Sequence, residues 1–252
     1  KIYLADLAYT TVGIVQVAPL NIGYLAAYAK ARFGNQVDIS IFKKPTDLEK
    51  SIRESPPDIL GLSNYCWSHN VSYEIFKMCK KTNPNVVTIW GGPNFPIDFP
   101  SQKKFMERYK EVDIYVPTEG ETGFSNVVKK VLESNLTDEV KQQITQSPID
   151  GCISRNEQGQ IQITVPTVRI SSLDEITSPY LNGMMDKFFD GKLTPMLQTN
   201  RGCPFHCTFC TDGRDEVNKV NSFSIKRVQS EIQYIAEHVP KNTHSLHISD
   251  LN

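Results

Sequence analysis

No apolar run in this 252-residue sequence approaches the roughly 18 residues that a membrane-spanning helix needs. The chain opens KIYLADLAYT, without the basic-then-apolar pattern of a secretory leader. A surplus of charge is also missing: 27 Lys and Arg face 28 Asp and Glu, a formal net charge of −1. Nothing here provides the basic field that holds nucleic acid by counterion release, so no nucleic-acid partner is expected. Low complexity is absent as well, and 39% hydrophobic with 22% charged residues excludes disorder, collagen and a small disulfide scaffold. Of the six cysteines, Cys66, Cys79 and Cys152 are scattered, whereas Cys203, Cys207 and Cys210 fall within eight residues. That distribution, with no export signal, points to a reducing compartment and a cytoplasmic location.

What is present first is alternation. Short β-rich runs (2–7, 37–42, 59–63, 86–90 and 114–117) are separated by stretches of helical period (19–32, 46–54, 71–81, 101–109 and 122–134). Five strands with five helices predict a flavodoxin-like, doubly wound parallel sheet, in which ligands sit beyond the carboxyl ends of the strands. The loops expected there are 8–18, 64–70, 91–96 and 118–121. In the second of them His69 reads as a solvated loop residue. In the third, Gly91-Gly92-Pro93 reads either as a site where backbone approaches a bulky ligand or as a plain tight turn.

Residues 135–150 read as a polar connector, 151–165 as a β-hairpin turning at Glu157–Gln160, and 166–190, which lack a strong period, as an interdomain linker. A β-run at 193–199, a helix at 225–238 and a strand at 245–248 follow. One βα unit and the opening of another read as the start of a β/α barrel that is cut short. The expected divisions are 1–135, a connector with hairpin at 136–191, and 192–252.

Directly after the β-run, Asn200-Arg201-Gly202-Cys203-Pro204-Phe205-His206-Cys207-Thr208-Phe209-Cys210 spaces its cysteines as C-x3-C-x2-C. Three thiolates can hold three corners of a 4Fe-4S cubane, whose full protein complement would be four. An iron without a protein ligand keeps an open position, by the logic that separates catalytic from structural zinc. The competing reading is a structural zinc site using the same cysteines and His206, in a non-catalytic binding protein. Against it, no second ligand pair follows, and His206 sits awkwardly between two ligands.

This motif, with Phe209 just before the third cysteine, resembles the radical S-adenosylmethionine superfamily. The segments Pro19–Ala27, Gly61–Trp67 (GLSNYCW), Trp90–Pro96 (WGGPNFP) and Thr118–Glu121 (TEGE) make the N-terminal half similar to the cobalamin-binding domain fused to such enzymes. The resemblance implies three cofactors: a 4Fe-4S cluster on Cys203, Cys207 and Cys210, S-adenosylmethionine, and cobalamin. It implies S-adenosylmethionine chelated at the open iron and cleaved to a 5′-deoxyadenosyl radical, and methylcobalamin methylating an unactivated carbon of a small-molecule, lipid or peptide substrate. Cyclisation or rearrangement is the alternative outcome, as is an N-terminal domain that serves only as a scaffold. An electron donor such as flavodoxin or ferredoxin is implied as partner, and the chain by itself is expected to be inactive.

The cobalamin contacts implied are Tyr9, Thr10, Leu20, Ser63, Asn64, Tyr65, Trp67, Gly91, Gly92, Pro93, Asn94, Glu119, Gly120 and Glu121, with Phe209 and Asp250 toward S-adenosylmethionine. Glu119 and Glu121 can bond the ligand's amide or ribose groups or cap the helix that follows. Many cobalamin proteins carry D-x-H-x-x-G after the first strand, but residues 7–23 here hold no histidine. The cobalt is therefore expected to lack a histidine ligand. Tyr65 and Trp67 are then expected either to cover its lower face or to pack against the following helix, and the dimethylbenzimidazole tail to lie near Gly91 and Gly92.

Overall fold

Strands that are buried on both faces read as continuous apolar runs, and two inner strands do so here. In a computed structural model of the chain, which describes residues 1–8, 16–134, 139–164, 170–210, 213 and 218–251, every residue of β1 (Ile2–Ala5) and β3 (Ile59–Ser63) is buried. They pair in parallel, Ile2 opposite Ile59, and β1 also pairs β2 (Ile39–Phe42). On the other side β3 pairs β4 (Val87–Gly91), which pairs β5 (Ile114–Val116), all parallel. The order β2-β1-β3-β4-β5 is the expected doubly wound arrangement, with its switch point between β1 and β3.

Helices α1 (Leu20–Phe33), α2 (Pro45–Glu54), α3 (His69–Thr82), α4 (Phe99–Arg108) and α5 (Gly120–Glu133) connect the strands. Each carries a recognisable reason to form. Pro45 opens α2, where its missing N–H costs nothing, and Leu48 and Ile52 lie one turn apart on its buried face. Asp98 caps α4, its carboxylate accepting from the Ser101 N–H at 2.9 Å. Phe124, Val127, Val128 and Val131 form the buried stripe of α5. Between α3, α4 and the sheet lies an aromatic core around fully buried Trp90, with Phe76, Phe105 and Tyr109 within 6 Å of its ring.

Several boundaries differ from the sequence reading. Helix α3 starts at His69 and not Val71, and α5 starts at Gly120, so His69, Gly120 and Glu121 belong to helices and not to loops. The supposed connector contains a one-turn helix, α6 (Val140–Thr145), whose Val140 and Ile144 are buried one turn apart. The hairpin is β6 (Cys152–Arg155) and β7 (Ile161–Thr164), turning through Gly159 at φ +75°. It joins the main sheet, because β6 pairs β5 antiparallel and brings the strand count to seven.

The chain divides into two compact units, residues 1–13 with 28–167, and residues 14–27 with 168–252. In the second, the segment read as a linker is core: Leu173, Ile176, Tyr180, Met185 and Phe188 are all buried, around two short 3-10 turns. Irregular backbone buries apolar side chains without a period, which is why the sequence hides it. The same unit holds β8 (Met196–Leu197), β9 (Asn200–Arg201), β10 (Asn221–Ser222), α7 (Ile225–His238) and β11 (His247–Ile248). Strand β11 runs parallel to β8, and β10 antiparallel to β9. Only the middle of the expected 193–199 run is strand. Glu231 of α7 is buried but doubly satisfied, accepting from Ser178 Oγ at 2.6 Å and from Arg227 Nε at 2.7 Å. Ile225 and Ile232 of the same helix are exposed.

Candidate cofactor site

The carboxyl ends of β3, β4 and β5 carry the loops that a ligand of this fold would meet, and they are built as one piece. Asn64, immediately after β3, is fully buried and donates its N–H to the Gly91 carbonyl at 2.6 Å. Its carbonyl accepts from the Asn94 N–H at 3.1 Å. The Asn64 side chain donates from Nδ2 to the Asn94 carbonyl at 2.8 Å and to Tyr115 Oη at 3.3 Å, while Tyr115 Oη donates to the Gly92 carbonyl at 2.7 Å. Three consecutive strand ends are thereby tied together through main chain.

The paired glycines answer to the same packing. Gly92 has φ +122°, and a Cβ there would lie 2.9 Å from the Asn64 carbonyl oxygen. A Cβ on Gly91 would lie 3.2 Å from the Val116 carbonyl oxygen. The close approach that these glycines permit in the chain itself is to its own backbone, at Asn64 and Val116. Thr118, between β5 and α5, also sits in the left-handed region at φ +58°. For a β-branched residue that is strain of the order of 1–3 kcal/mol, a feature that clusters at ligand-binding loops.

Above these tied loops stand Tyr65 and Trp67. Their rings are stacked with centroids 4.6 Å apart and planes within 5°, and Trp67 is 56% exposed. Tyr65 is half-buried, so the pair offers the outer face of Trp67 as a flat apolar surface to a flat ligand. Pro93 is exposed on the β4–α4 loop, Ser63 is buried at the end of β3, and Glu119 and Gly120 are half-buried at the start of α5. Glu121 is buried in the first turn of that helix. Leu20, in the second unit, is fully buried, so its side chain is core. Tyr9 and Thr10 lie outside the described residues.

His69 is the residue that sequence reasoning misplaced. Far from being solvated and unfixed, its ring stacks on Trp90 at 4.7 Å, meets Tyr109 edge-on at 4.7 Å, and sets Nδ1 2.9 Å from Asn64 Oδ1. No local spacing signals this, because the partners come from other strands and helices. Burial, with a contribution from Arg108, holds the imidazole below its ordinary value of 6.5. The folded state therefore resists protonation more than the unfolded chain does. Above pH 6.5 both are neutral and the stability is fully present, and it is lost as pH falls from 6.5 through the depressed folded value. Urea unfolding from pH 7.5 to 5 should show this loss in the wild-type chain and a smaller slope in His69→Phe; equal slopes would contradict the account.

In the second unit, all three clustered cysteines are free thiols, Cys203 half-buried, Cys207 and Cys210 exposed. The loop turns tightly there, the Cys210 N–H donating to the Cys207 carbonyl at 3.1 Å. The donor set has the chemistry of a cluster site, three thiols on one loop after β9. Among the described residues, however, no three His, Cys, Asp or Glu side chains are gathered closely enough to hold a metal. Phe209 is 92% exposed. Asp250 is engaged: Oδ1 accepts from the N–H groups of Thr199 (2.8 Å) and Asn200 (3.2 Å), while Oδ2 accepts from Asn200 Nδ2 at 3.1 Å and from Thr199 Oγ1. It thus clasps the backbone that leads from β8 into the cysteine loop.

Residues 10–128 match the B12 binding domain family. The chain is 30% identical over 251 residues to the 2-(S-pantetheinyl)-carbapenam-3-carboxylate methyltransferase of Streptantibioticus cattleyicolor, spanning 94% of this chain and 34% of that protein. To the cobalamin-dependent radical SAM methyltransferase TokK of Streptomyces tokunonensis it is 30% identical over 248 residues, 93% of this chain and 34% of that protein. Residues 10–128 are thus a B12 binding domain, and the chain is similar over nearly its whole length to cobalamin-dependent radical S-adenosylmethionine methyltransferases. It spans about a third of the length of these relatives. The solved structure of the radical enzyme OxsB with aqua-cobalamin and S-adenosylmethionine superposes with a TM-score of 0.71 at 19% identity, covering 100% of this chain and 34% of that one, and supports the fold. The tied loops of β3, β4 and β5 lie inside the B12-binding domain, and the cysteine loop lies outside it.

Proposed function

We propose that this chain is the cofactor-holding part of a cobalamin-dependent radical S-adenosylmethionine methyltransferase acting on an unactivated carbon. The supporting observation is the platform just described: three strand ends tied into one edge, carrying exposed Trp67 stacked on half-buried Tyr65, inside a B12-binding domain. Such a platform fits a flat corrinoid, whose polar rim finds main-chain groups of the 91–94 and 119–121 loops. When bound, cobalamin and a cluster-held S-adenosylmethionine supply methyl transfer and radical generation respectively. This chain's own residues bind and orient them: Tyr65 and Trp67 cover one corrinoid face, the tied loops keep that face in place, and Cys203, Cys207 and Cys210 are the ligands for the cluster. The substrate is read as a small molecule, lipid or peptide, reduction as coming from a flavodoxin- or ferredoxin-like donor, and the location as cytoplasmic. Among the described residues no helix is long and apolar enough to cross a membrane.

The cobalt environment provides the test. The His69 ring is stacked on Trp90 with Nδ1 turned toward Asn64, and we assign it to the packing of these loops and not to the metal. Chain loaded with cob(II)alamin should give an electron paramagnetic resonance spectrum without the threefold nitrogen splitting of each cobalt line. A clear triplet that disappears in His69→Ala would overturn the assignment of the lower face to the aromatic pair. Failure of the chain to take up any corrinoid would overturn the proposal itself.

A further inference from the structure

Asn64 is a buried amide with all four of its hydrogen-bonding positions engaged. Its two Nδ2 protons go to the Asn94 carbonyl and to Tyr115 Oη, and its Oδ1 lies 3.2 Å from Asn94 Nδ2 and 2.9 Å from His69 Nδ1. Asn94 Nδ2 lies 3.2 Å from both Asn64 Oδ1 and His69 Nδ1 and can donate to either, but a bare Nδ1 would set two lone pairs against each other across the shorter 2.9 Å contact, so the imidazole nitrogen facing the amide oxygen carries the proton. We propose that His69 is a positioning residue of the cobalamin site, which keeps the loops after β3 and β4 in one register by donating from Nδ1 to Asn64 Oδ1. This rests on the cobalamin reading of those loops.

The ring is well placed for such a role. Trp90 lies against one face at 4.7 Å, and Tyr109 and Phe105 meet it edge-on at 4.7 and 6.1 Å, so its orientation is set by packing. Asn64, which it fixes, contacts the other loop at three points: the Gly91 carbonyl through its own N–H, the Asn94 N–H through its carbonyl, and the Asn94 carbonyl through Nδ2. Rotation of the Asn64 side chain would release the third of these together with the bond to Tyr115 Oη. Arg108 is the charged group that acts on the imidazole, and its other neighbours, Asn64, Asn94, Trp90, Phe105 and Tyr109, bring no carboxylate. A neutral ring with Nδ1 protonated is the form this environment selects.

The alternative is that His69 is only a core-filling ring. His69→Phe separates the two, because it keeps a ring on Trp90 and deletes the donor, whereas His69→Asn returns an N–H to the Nδ1 position and deletes the ring. In the cofactor-free chain, exchange of the Asn64 and Asn94 amide protons should accelerate by about tenfold in His69→Phe, the loss of one bond to a buried amide, and slow again in His69→Asn. Cobalamin affinity, followed by corrinoid absorption, should fall by about tenfold in His69→Phe and recover in His69→Asn. Unchanged exchange and unchanged affinity in His69→Phe would overturn the proposal. If the wild-type chain takes no cobalamin, the cobalamin reading fails, while amide exchange still decides whether His69 sets the register. Should His69→Phe not fold, nitrogen-15 shifts of the wild-type imidazole decide: a protonated Nδ1 and a bare Nε2 are expected, and a proton on Nε2 would overturn it.

Discussion

Reconstitution of the chain with iron and sulfide should give a charge-transfer absorption that is lost completely when any one of Cys203, Cys207 or Cys210 is replaced by Ala. With three thiolates as the whole protein contribution, none is dispensable. The same substitution at Cys79 or Cys152 should leave the absorption intact. Both side chains are buried, and burial pushes each thiol up to about 12, so neither offers the thiolate that binds iron. Cys66 is exposed but lies on the loop after β3, and Cys66→Ala is the third control. The loop that carries the three clustered thiols is exposed, with Phe205 61% and Phe209 92% exposed. Coupling of metal binding to local ordering then predicts that reconstitution slows amide exchange across residues 203–210. Equal loss of absorption from Cys79→Ala and from the clustered mutants would sink the assignment.

The sheet is legible in the sequence because each parallel strand is buried on both faces and so writes itself as an unbroken apolar run, as Ile59–Ser63 does. The helices are legible where four or more turns repeat a stripe, as in α5, and illegible where one turn suffices, as in α6 with only Val140 and Ile144 to mark it. The cysteine spacing is local chemistry and needs no fold to be read. The site's internal order is different in kind. Asn64 and Asn94 are 30 residues apart, and Asn64 and Tyr115 51, so no periodicity connects them. Only after β3, β4 and β5 are laid side by side do their carboxyl ends bring those side chains together. For the same reason His69 reads as a loop residue until the core against Trp90 exists, and the buried stretch around Tyr180 reads as a linker until its neighbours in the second unit are in place.

The glycine at position 92 should be replaceable only at a large cost. At φ +122° it occupies backbone space that a β-branched residue enters only under strain of about 1–3 kcal/mol. Its Cβ would also lie 2.9 Å from the oxygen and 3.2 Å from the nitrogen of Asn64, and these are main-chain atoms that cannot swing aside. Relief of that contact must push the β4–α4 loop away from Asn64. The bonds from Asn64 N–H to Gly91, from Asn94 N–H to Asn64 and from Tyr115 Oη to Gly92 would then weaken together. Gly92→Val is expected to lower the unfolding free energy by about 3 kcal/mol in urea titration, strain and lost bonds combined. Cobalamin affinity should fall by about a hundredfold or more, equivalent to at least about 2.7 kcal/mol, while cluster reconstitution on the cysteine loop is unaffected. Gly92→Ala should act in the same direction, since the first carbon already makes the collision. Gly159→Ala separates strain from collision. Gly159 also has a positive φ, +75°, but nothing lies within 4 Å of its Cβ position, so only the backbone cost of roughly 1–2 kcal/mol applies and cobalamin binding should not change. A Gly92→Val chain that binds cobalamin as the wild type does would show that the corrinoid does not depend on the register of these loops.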